Sequence, residues 1–321
     1  MAEMNRAKVL LMGRAKAGKT SMKSIIFANY MARETKNFLP TYQVEQNSVK
    51  FMGNRGLSLW DCGGQDRFME NYFESQKDMI FDRVEVMIYV VTAEGPDKKG
   101  RSDNSTSRDF GYFRNAMEAL SQRSPNATVF CLIHKMDLVH ESRREEVLNE
   151  YKKMIDDNAH GFKVTSFGTS IWDASLFKAW SQIVHMLIPE MAALQTQLDH
   201  VCKVCEADEV VLFEQNTFLL IANASTRTFT DNHRFEKLSN IVKQFKLSCA
   251  KMKQKMDQFT VTNVAFNAVV EQFLDHSFIM VVASTDRVRP AAISVNLAAC
   301  RKHFGQLKAE TESGMTFGTH L

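Results

Sequence analysis

Residues 13–20 read GRAKAGKT, two glycines five positions apart followed by Lys and Thr, the G-x-x-x-x-G-K-[ST] pattern of a phosphate-cradling loop. The motif closes an apolar run of strand length, KVLLMG at 8–13. It opens a segment, TSMKSIIFANYMAR at 20–33, in which Met22, Ile25, Ile26 and Tyr30 recur at helical spacing. In that setting the N–H groups of Gly13, Arg14, Ala15, Lys16, Ala17 and Gly18, continued by Lys19, Thr20 and Ser21 at the helix start, form a nest of positive partial charge suited to a polyphosphate. Lys19 would reach the β and γ phosphates, and the Thr20 hydroxyl would hold Mg²⁺. A plain glycine turn is the bland alternative, and the strand and helix on either side weigh against it.

A second constellation, LSLWDCGGQ at 57–65, ends an apolar strand in an acid, two glycines and a glutamine. Asp61 is placed to hold Mg²⁺ through water, Gly64 to bring its N–H to a γ-phosphate with no Cβ in the way, and Gln65 to orient an attacking water. HKMD at 134–137 ends a further apolar strand on the same edge of the sheet. There Asp137 can accept two hydrogen bonds from N1 and the exocyclic amine of guanine, a pattern that adenine cannot offer, while the stem of Lys135 covers the base. GTSIW at 168–172 could add a backbone N–H from Ser170 or Ile171 to the guanine O6.

The elements needed to position these residues are legible. Strand candidates at 8–13, 48–53, 57–60, 86–91 and 128–134, with a short one before GTSIW, alternate with helical patterns at 107–123, 140–156 and 173–189. The pattern predicts an α/β domain with a six-stranded, mostly parallel sheet and helices on both faces, and SVKFMGNRGLSLW predicts one antiparallel edge hairpin. The polar, turn-rich stretch 95–109 is expected to be a mobile surface loop. Pro189 closes this block, which sets domains at 1–190 and 191–310 and a disordered tail at 311–321. The second domain is read as α+β: a helix after 190, a hairpin over VVLFEQNTFLLIANAS, a long helix from about 233 to 256, strands near 259–270 and 278–284, and a helix from about 291 to 308.

With 321 residues, 45% of them hydrophobic, the chain can build two cores, and a net charge of +3 gives no field that would select nucleic acid or an acidic membrane. The six scattered cysteines and the lack of a leader pattern predict free thiols and a cytoplasmic protein. The run VMIYVVTA is far too short to span a bilayer, and Ala at position 2 and a tail without a cysteine box argue against lipidation. A membrane address would therefore have to come from another protein.

In this order the motifs resemble those of a Ras-like small GTPase. LWDCGGQDRFMENYF, with Cys-Gly-Gly before the glutamine, and HKMDLV, with His134 where most such proteins carry Asn, are similar to the Rag GTPases of the A/B, or Gtr-one-like, type. The resemblance continues through TSIWD, EADEVVLFE and HRFEKLSNIVKQFKLSC, nearly the whole chain. It implies a GTPase domain followed by a roadblock/longin-like domain that pairs with a C/D-type Rag subunit. It also implies GTP or GDP as bound nucleotide with Mg²⁺, and slow hydrolysis that depends on GTPase-activating and exchange factors. Such heterodimers report amino-acid sufficiency to the target-of-rapamycin kinase complex and are held on the lysosome or vacuole by a scaffold complex, with the nucleus as a further compartment. Carried over by residue, the switch threonine is Thr41, with Thr35 as the competing candidate; Thr41 would bind Mg²⁺ only while the γ-phosphate is present. Three departures stand out. His134 lacks the amide that bridges base and loop, so it is expected to meet guanine differently, and Ala15 and Lys16 sit where the superfamily favours glycine. If φ at Lys16 is positive, the side chain there costs roughly 1 to 2 kcal/mol.

Two functions remain open on these residues: a hydrolysing switch, which Gln65 and Thr41 favour, and a nucleotide-holding module with negligible turnover, which Ala15 and Lys16 keep alive. Phe235, Leu238, Val242, Phe245, Cys249, Met252 and Met256 form an apolar seam that faces either its own sheet or a partner. Cys202 and Cys205 have no second pair of ligands for zinc, and RKHFGQLK reads as a solvated helix face.

Overall fold

The computed structural model describes residues 6–42, 44–50, 56–93, 104–187, 191–228, 234–274, 276–284 and 288–312. The chain divides into two compact units, Met1–Ile183 and Val184–Leu321.

The first unit is a six-stranded sheet in the order β2-β3-β1-β4-β5-β6. Its strands are β1 (Arg6–Met12), β2 (Glu45–Lys50), β3 (Gly56–Asp61), β4 (Val86–Thr92), β5 (Thr128–His134) and β6 (Val164–Thr169). All neighbours run parallel except β2 and β3, the edge pair, in which Glu45 lies opposite Asp61. The loop joining that pair falls outside the described residues. β1, β4 and β5 are buried along nearly their whole length, which is why they read as unbroken apolar runs: helices cover both faces. One face packs Leu10, Met12, Tyr89 and Ile133 against Phe113, Leu120 and Tyr151 of the flanking helices.

Those helices are α1 (Lys19–Phe27), α2 (Asp66–Phe73), the short α3 (Lys77–Phe81), α4 (Asn104–Arg123), α5 (Arg144–Asp157) and α6 (Ser175–Leu187). Several elements differ from the sequence reading: β2 lies three residues earlier than expected, and α2 and α3 have no counterpart in it. α1 stops at Phe27 because Asn29 takes a left-handed φ of 61° and the Tyr30 N–H turns back to the Ser24 carbonyl at 3.2 Å, a helix-closing turn. A 3-10 turn, Ala32–Asn37, follows. α4 starts earlier than its helical pattern at 107–123: residues 104–106, expected in a loop, are its first turn, and Asp109 and Phe110 just after are buried. Most of the predicted mobile loop, 94–103, lies outside the described residues.

The second unit is a five-stranded antiparallel sheet in the order β8-β7-β11-β10-β9. It is built from β7 (Glu209–Glu214), β8 (Leu220–Ser225), β9 (Gln258–Thr262), β10 (Phe266–Gln272) and β11 (Ser277–Ser284), with helices α7 (Met191–Val204), α8 (Arg234–Lys251) and α9 (Pro290–Glu312). α8 ends at Lys251, short of the expected 256, so Met252 and Met256 lie beyond it; the apolar seam of the helix faces this sheet. Val242 and Met256 join Phe213, Phe218, Val270 and Phe278 in one core, and Phe235, Leu238 and Cys249 pack against it. Met252 and Phe245 are exceptions, with Phe245 half exposed against the ring of Phe259. Of the tail predicted at 311–321, Thr311 and Glu312 instead close α9, which outruns the expected 308, and 313–321 lie outside the described residues.

Candidate nucleotide site

β1 delivers the loop of residues 13–18 to the carboxyl edge of the sheet, and α1 begins at Lys19 with Gly18 as its cap at φ 98°. Gly18 has to be glycine for a second reason: a Cβ there would meet the His134 ring at 2.7 Å. The Lys19 ammonium is folded into the loop, donating to the Gly13 carbonyl at 2.5 Å and the Arg14 carbonyl at 2.9 Å. Burial pulls its pKa down to about 8, against the opposing pull of Asp61. Ala17 is buried, whereas Ala15 and Lys16 are exposed. Lys16 adopts φ 67°, the left-handed region, and its carbonyl accepts from the Lys135 ammonium at 2.6 Å. Arg14 turns toward α4, its Nε 3.6 Å from Asp109.

Three oxygen-bearing side chains meet beside the loop. The Thr20 and Thr41 hydroxyls are 2.7 Å apart, and Thr20 Oγ1 lies 3.4 Å from Asp61 Oδ2. Parallel pairing of Leu11 with Asp61 brings the end of β3 level with the loop. Thr35 is elsewhere, buried in its own turn with its hydroxyl on the Ala32 carbonyl at 2.9 Å. Asp61 is fully buried and its Oδ1 has no hydrogen-bond donor among the described residues. A buried carboxylate oxygen without a donor next to two hydroxyls is a donor set of hard oxygens, which suits Mg²⁺.

The glycine pair after Asp61 is explained by close approach on both sides. A Cβ at Gly63 would come within 2.7 Å of the Thr41 carbonyl, and one at Gly64 within 2.4 Å of the Ala15 nitrogen, both backbone atoms that cannot swing aside. The Gly64 carbonyl accepts the Ala15 N–H at 2.6 Å, so it is this carbonyl that faces the phosphate loop. Gln65 caps α2, and its Oε1 is buried with no donor among the described residues.

Past the ends of β5 and β6 the Ser170 hydroxyl donates to Asp137 at 2.6 Å and accepts the Trp172 N–H at 3.1 Å. The Ser170 N–H goes to the Ser175 hydroxyl at 2.9 Å. Of the two residues expected to offer a backbone donor, Ser170 is thus committed and Ile171 is left. His134 is buried between the phosphate loop and β6, its Nδ1 2.9 Å from Thr169 Oγ1 and its ring against Gly18. Burial, aided by Lys135, pushes its pKa down to about 4, so the ring is neutral near pH 7. It spans from strand to loop by packing, where an amide would do so by hydrogen bonds.

Several partners escaped the sequence reading. Lys23 reaches both Asp61 and Glu45, Thr169 holds His134, and Ser175 takes the Ser170 amide. Only Lys23 left a trace: one turn beyond Thr20, it interrupts the apolar face of Met22, Ile25 and Ile26. Cys202 and Cys205, in the second unit, are buried, and the Cys202 thiol donates to the Ala207 carbonyl.

Comparison with known proteins identifies the family. The family model described as the Gtr1/RagA G protein conserved region matches residues 8–242. The chain is 46% identical over 299 residues to Ras-related GTP-binding protein A of Dictyostelium discoideum, covering 93% of this chain and 97% of that protein. It is 44% identical over 309 residues to GTP-binding protein gtr1 of Schizosaccharomyces pombe, covering 96% and 98%. Similarity to Ras-related GTP-binding protein C of Homo sapiens is lower, 24% over 230 residues, or 70% of this chain and 55% of that protein.

Proposed function

From the premise that the chain belongs to the Gtr1/RagA G-protein family, a family of Ras-related GTP-binding proteins, we infer that it is a GTP-hydrolysing switch and the A/B-type subunit of a Rag heterodimer. The observation that carries this reading is the convergence of Lys19, Thr20, Thr41, Asp61 and Gln65 at one edge of the sheet.

In this reading the loop amides and Lys19 grip the phosphates, and the Ser170-braced Asp137 with the Ile171 N–H selects guanine. Thr20 and Thr41 would hold Mg²⁺, with Asp61 acting through water, and the ion would neutralise charge on the phosphates. Gln65 orients the attacking water from the cap of α2. Arg14, the loop's own arginine, is turned to Asp109, which supports slow intrinsic turnover completed by an activating protein. Loss of the γ-phosphate releases Thr41 and the Gly64–Gln65 segment, and that rearrangement is the signal.

The second unit supplies the support for a C/D-type partner. β9 is an edge strand with Val261 exposed, α8 exposes Ile241 and Phe245, and Met252 is exposed just beyond the helix end. An open strand edge beside an apolar helix face suits addition of a partner's strand. The heterodimer would report amino-acid sufficiency to the target-of-rapamycin kinase complex on the lysosomal or vacuolar surface. Among the described residues no helix is long and apolar enough to cross a membrane, and we assign membrane attachment to a scaffold complex.

The test is co-expression with a C/D-type Rag subunit, followed by nucleotide analysis of the purified pair and competition between GTP and ATP. Stoichiometric guanine nucleotide, a stable pair and at least a hundredfold preference for GTP are expected. Equal affinity for ATP overturns the reading, and binding without single-turnover hydrolysis in the presence of an activating protein reduces it to a nucleotide-holding module.

A further inference from the structure

Glu45 and Asp61 are directly opposite each other on the antiparallel β2–β3 pair, an arrangement in which like charges destabilise a sheet. Asp61 is fully buried, so its charge cannot be relieved by water. The ammonium of Lys23 resolves the conflict by lying between them, 2.9 Å from Asp61 Oδ2 and 2.6 Å from Glu45 Oε2. Lys23 is itself nearly buried and sits three residues after Thr20 on α1, so both project from one side of the helix. Oδ2 of Asp61 is thereby shared between the Lys23 ammonium and the Thr20 hydroxyl, at 2.9 and 3.4 Å, so the lysine touches the same oxygen that faces the proposed metal ligand, while Oδ1 has no donor among the described residues.

We propose that Lys23 is a resident cation of the metal site, a positioning residue that aims Asp61 and keeps the site assembled and neutralised when Mg²⁺ has left. The assignment rests on the guanine-nucleotide reading above. Its second consequence is mechanical: Glu45 begins the strand that follows Thr41, so the Lys23 bridge ties the far end of the switch segment to the β3 terminus whether or not the ion is bound. Nucleotide retention then depends only weakly on Mg²⁺, since one fixed charge remains after the mobile one dissociates.

The experiment follows release of a fluorescent GDP from the full-length chain, paired with its C/D-type partner, over free Mg²⁺ from EDTA to millimolar. Thermal unfolding is read at both extremes. Lys23→Met, close in size but uncharged, is expected to release GDP at least tenfold faster than wild type in EDTA and to approach wild type at saturating Mg²⁺. Lys23→Arg is expected to restore the wild-type dependence, and the midpoint of unfolding of Lys23→Met should fall only without the ion. An acceleration equal at every Mg²⁺ concentration overturns the proposal, because a merely structural lysine acts regardless of the metal, and so does an unchanged rate in EDTA. A wild-type chain that holds no GDP at any Mg²⁺ concentration sinks the guanine-nucleotide reading first and the proposal with it, a result distinct from either of the others.

Discussion

The hydroxyls of Thr20 and Thr41 are 2.7 Å apart although 21 positions separate them in the chain. Thr20 is fixed by the first turn of α1, whereas Thr41 lies in an irregular segment between the 3-10 turn and β2. One of the two is therefore anchored and the other is free to leave, which is the asymmetry a nucleotide-dependent switch needs.

Thr41→Ala removes the movable partner alone. GDP affinity should stay within about twofold of wild type, while the preference for a non-hydrolysable GTP analogue falls roughly tenfold, the loss of about 1.4 kcal/mol expected for a single ligand to a charged centre. Equilibrium titration of both nucleotides checks this. Thr20→Asn should weaken both, since the anchored hydroxyl serves either state.

Gln65 is the N-cap of α2 through its backbone, its carbonyl accepting the Phe68 and Met69 N–H groups, while its buried side-chain oxygen has no donor among the described residues, so a change of side chain leaves those bonds in place. Gln65→Leu should leave GTP binding intact and lower the single-turnover hydrolysis rate by roughly a hundredfold, the lower end for one positioned group in a proton-transfer step. An unchanged rate with an activating protein present would assign the water to another residue.

At Lys16 the strain foreseen from the sequence is present, φ being 67°. Lys16→Gly relieves about 1 to 2 kcal/mol of left-handed strain and returns about 0.5 to 1 kcal/mol as extra entropy of the unfolded chain. The net should be a first-unit stabilisation of about 1 kcal/mol, seen by calorimetry as a rise of ~3 °C. Loss of the ammonium leaves the carbonyl that holds Lys135 in place, so the loop should keep its shape.

What was legible in the sequence follows its range of interaction. The loop at 13–20 and the Asp-Cys-Gly-Gly-Gln run carry their chemistry in consecutive residues, and the long apolar runs of β1, β4 and β5 announce burial on both faces. The end of α1 at Phe27 was missed because an apolar period continues through Tyr30, while the turn at Asn29 depends on one backbone torsion. The early start of α4 was missed because Asn104 to Thr106 are polar, and Asp109 is buried by its place beside Arg14, a contact that no local pattern encodes. Lys23 is the same case within the site. Its role comes from the cross-strand pairing of Glu45 with Asp61, which exists only once the sheet has formed.

His134 turns that burial into a pH dependence. Its folded pKa is depressed to about 4 from 6.5, first by burial and then by Lys135, so between those values the unfolded chain binds the extra proton. Stability therefore rises with pH across that window: the contribution is full above about pH 6.5 and is lost as pH falls toward 4, with a slope of up to about 1.4 kcal/mol per pH unit. His134→Asn keeps a polar side chain within reach of Thr169 and removes the titration. Denaturant unfolding of the two proteins from pH 4.5 to 7.5 should give curves that converge toward the acid end, the wild type losing stability more steeply. Parallel curves would mean that the ring takes up its proton in the folded protein as readily as in the unfolded one.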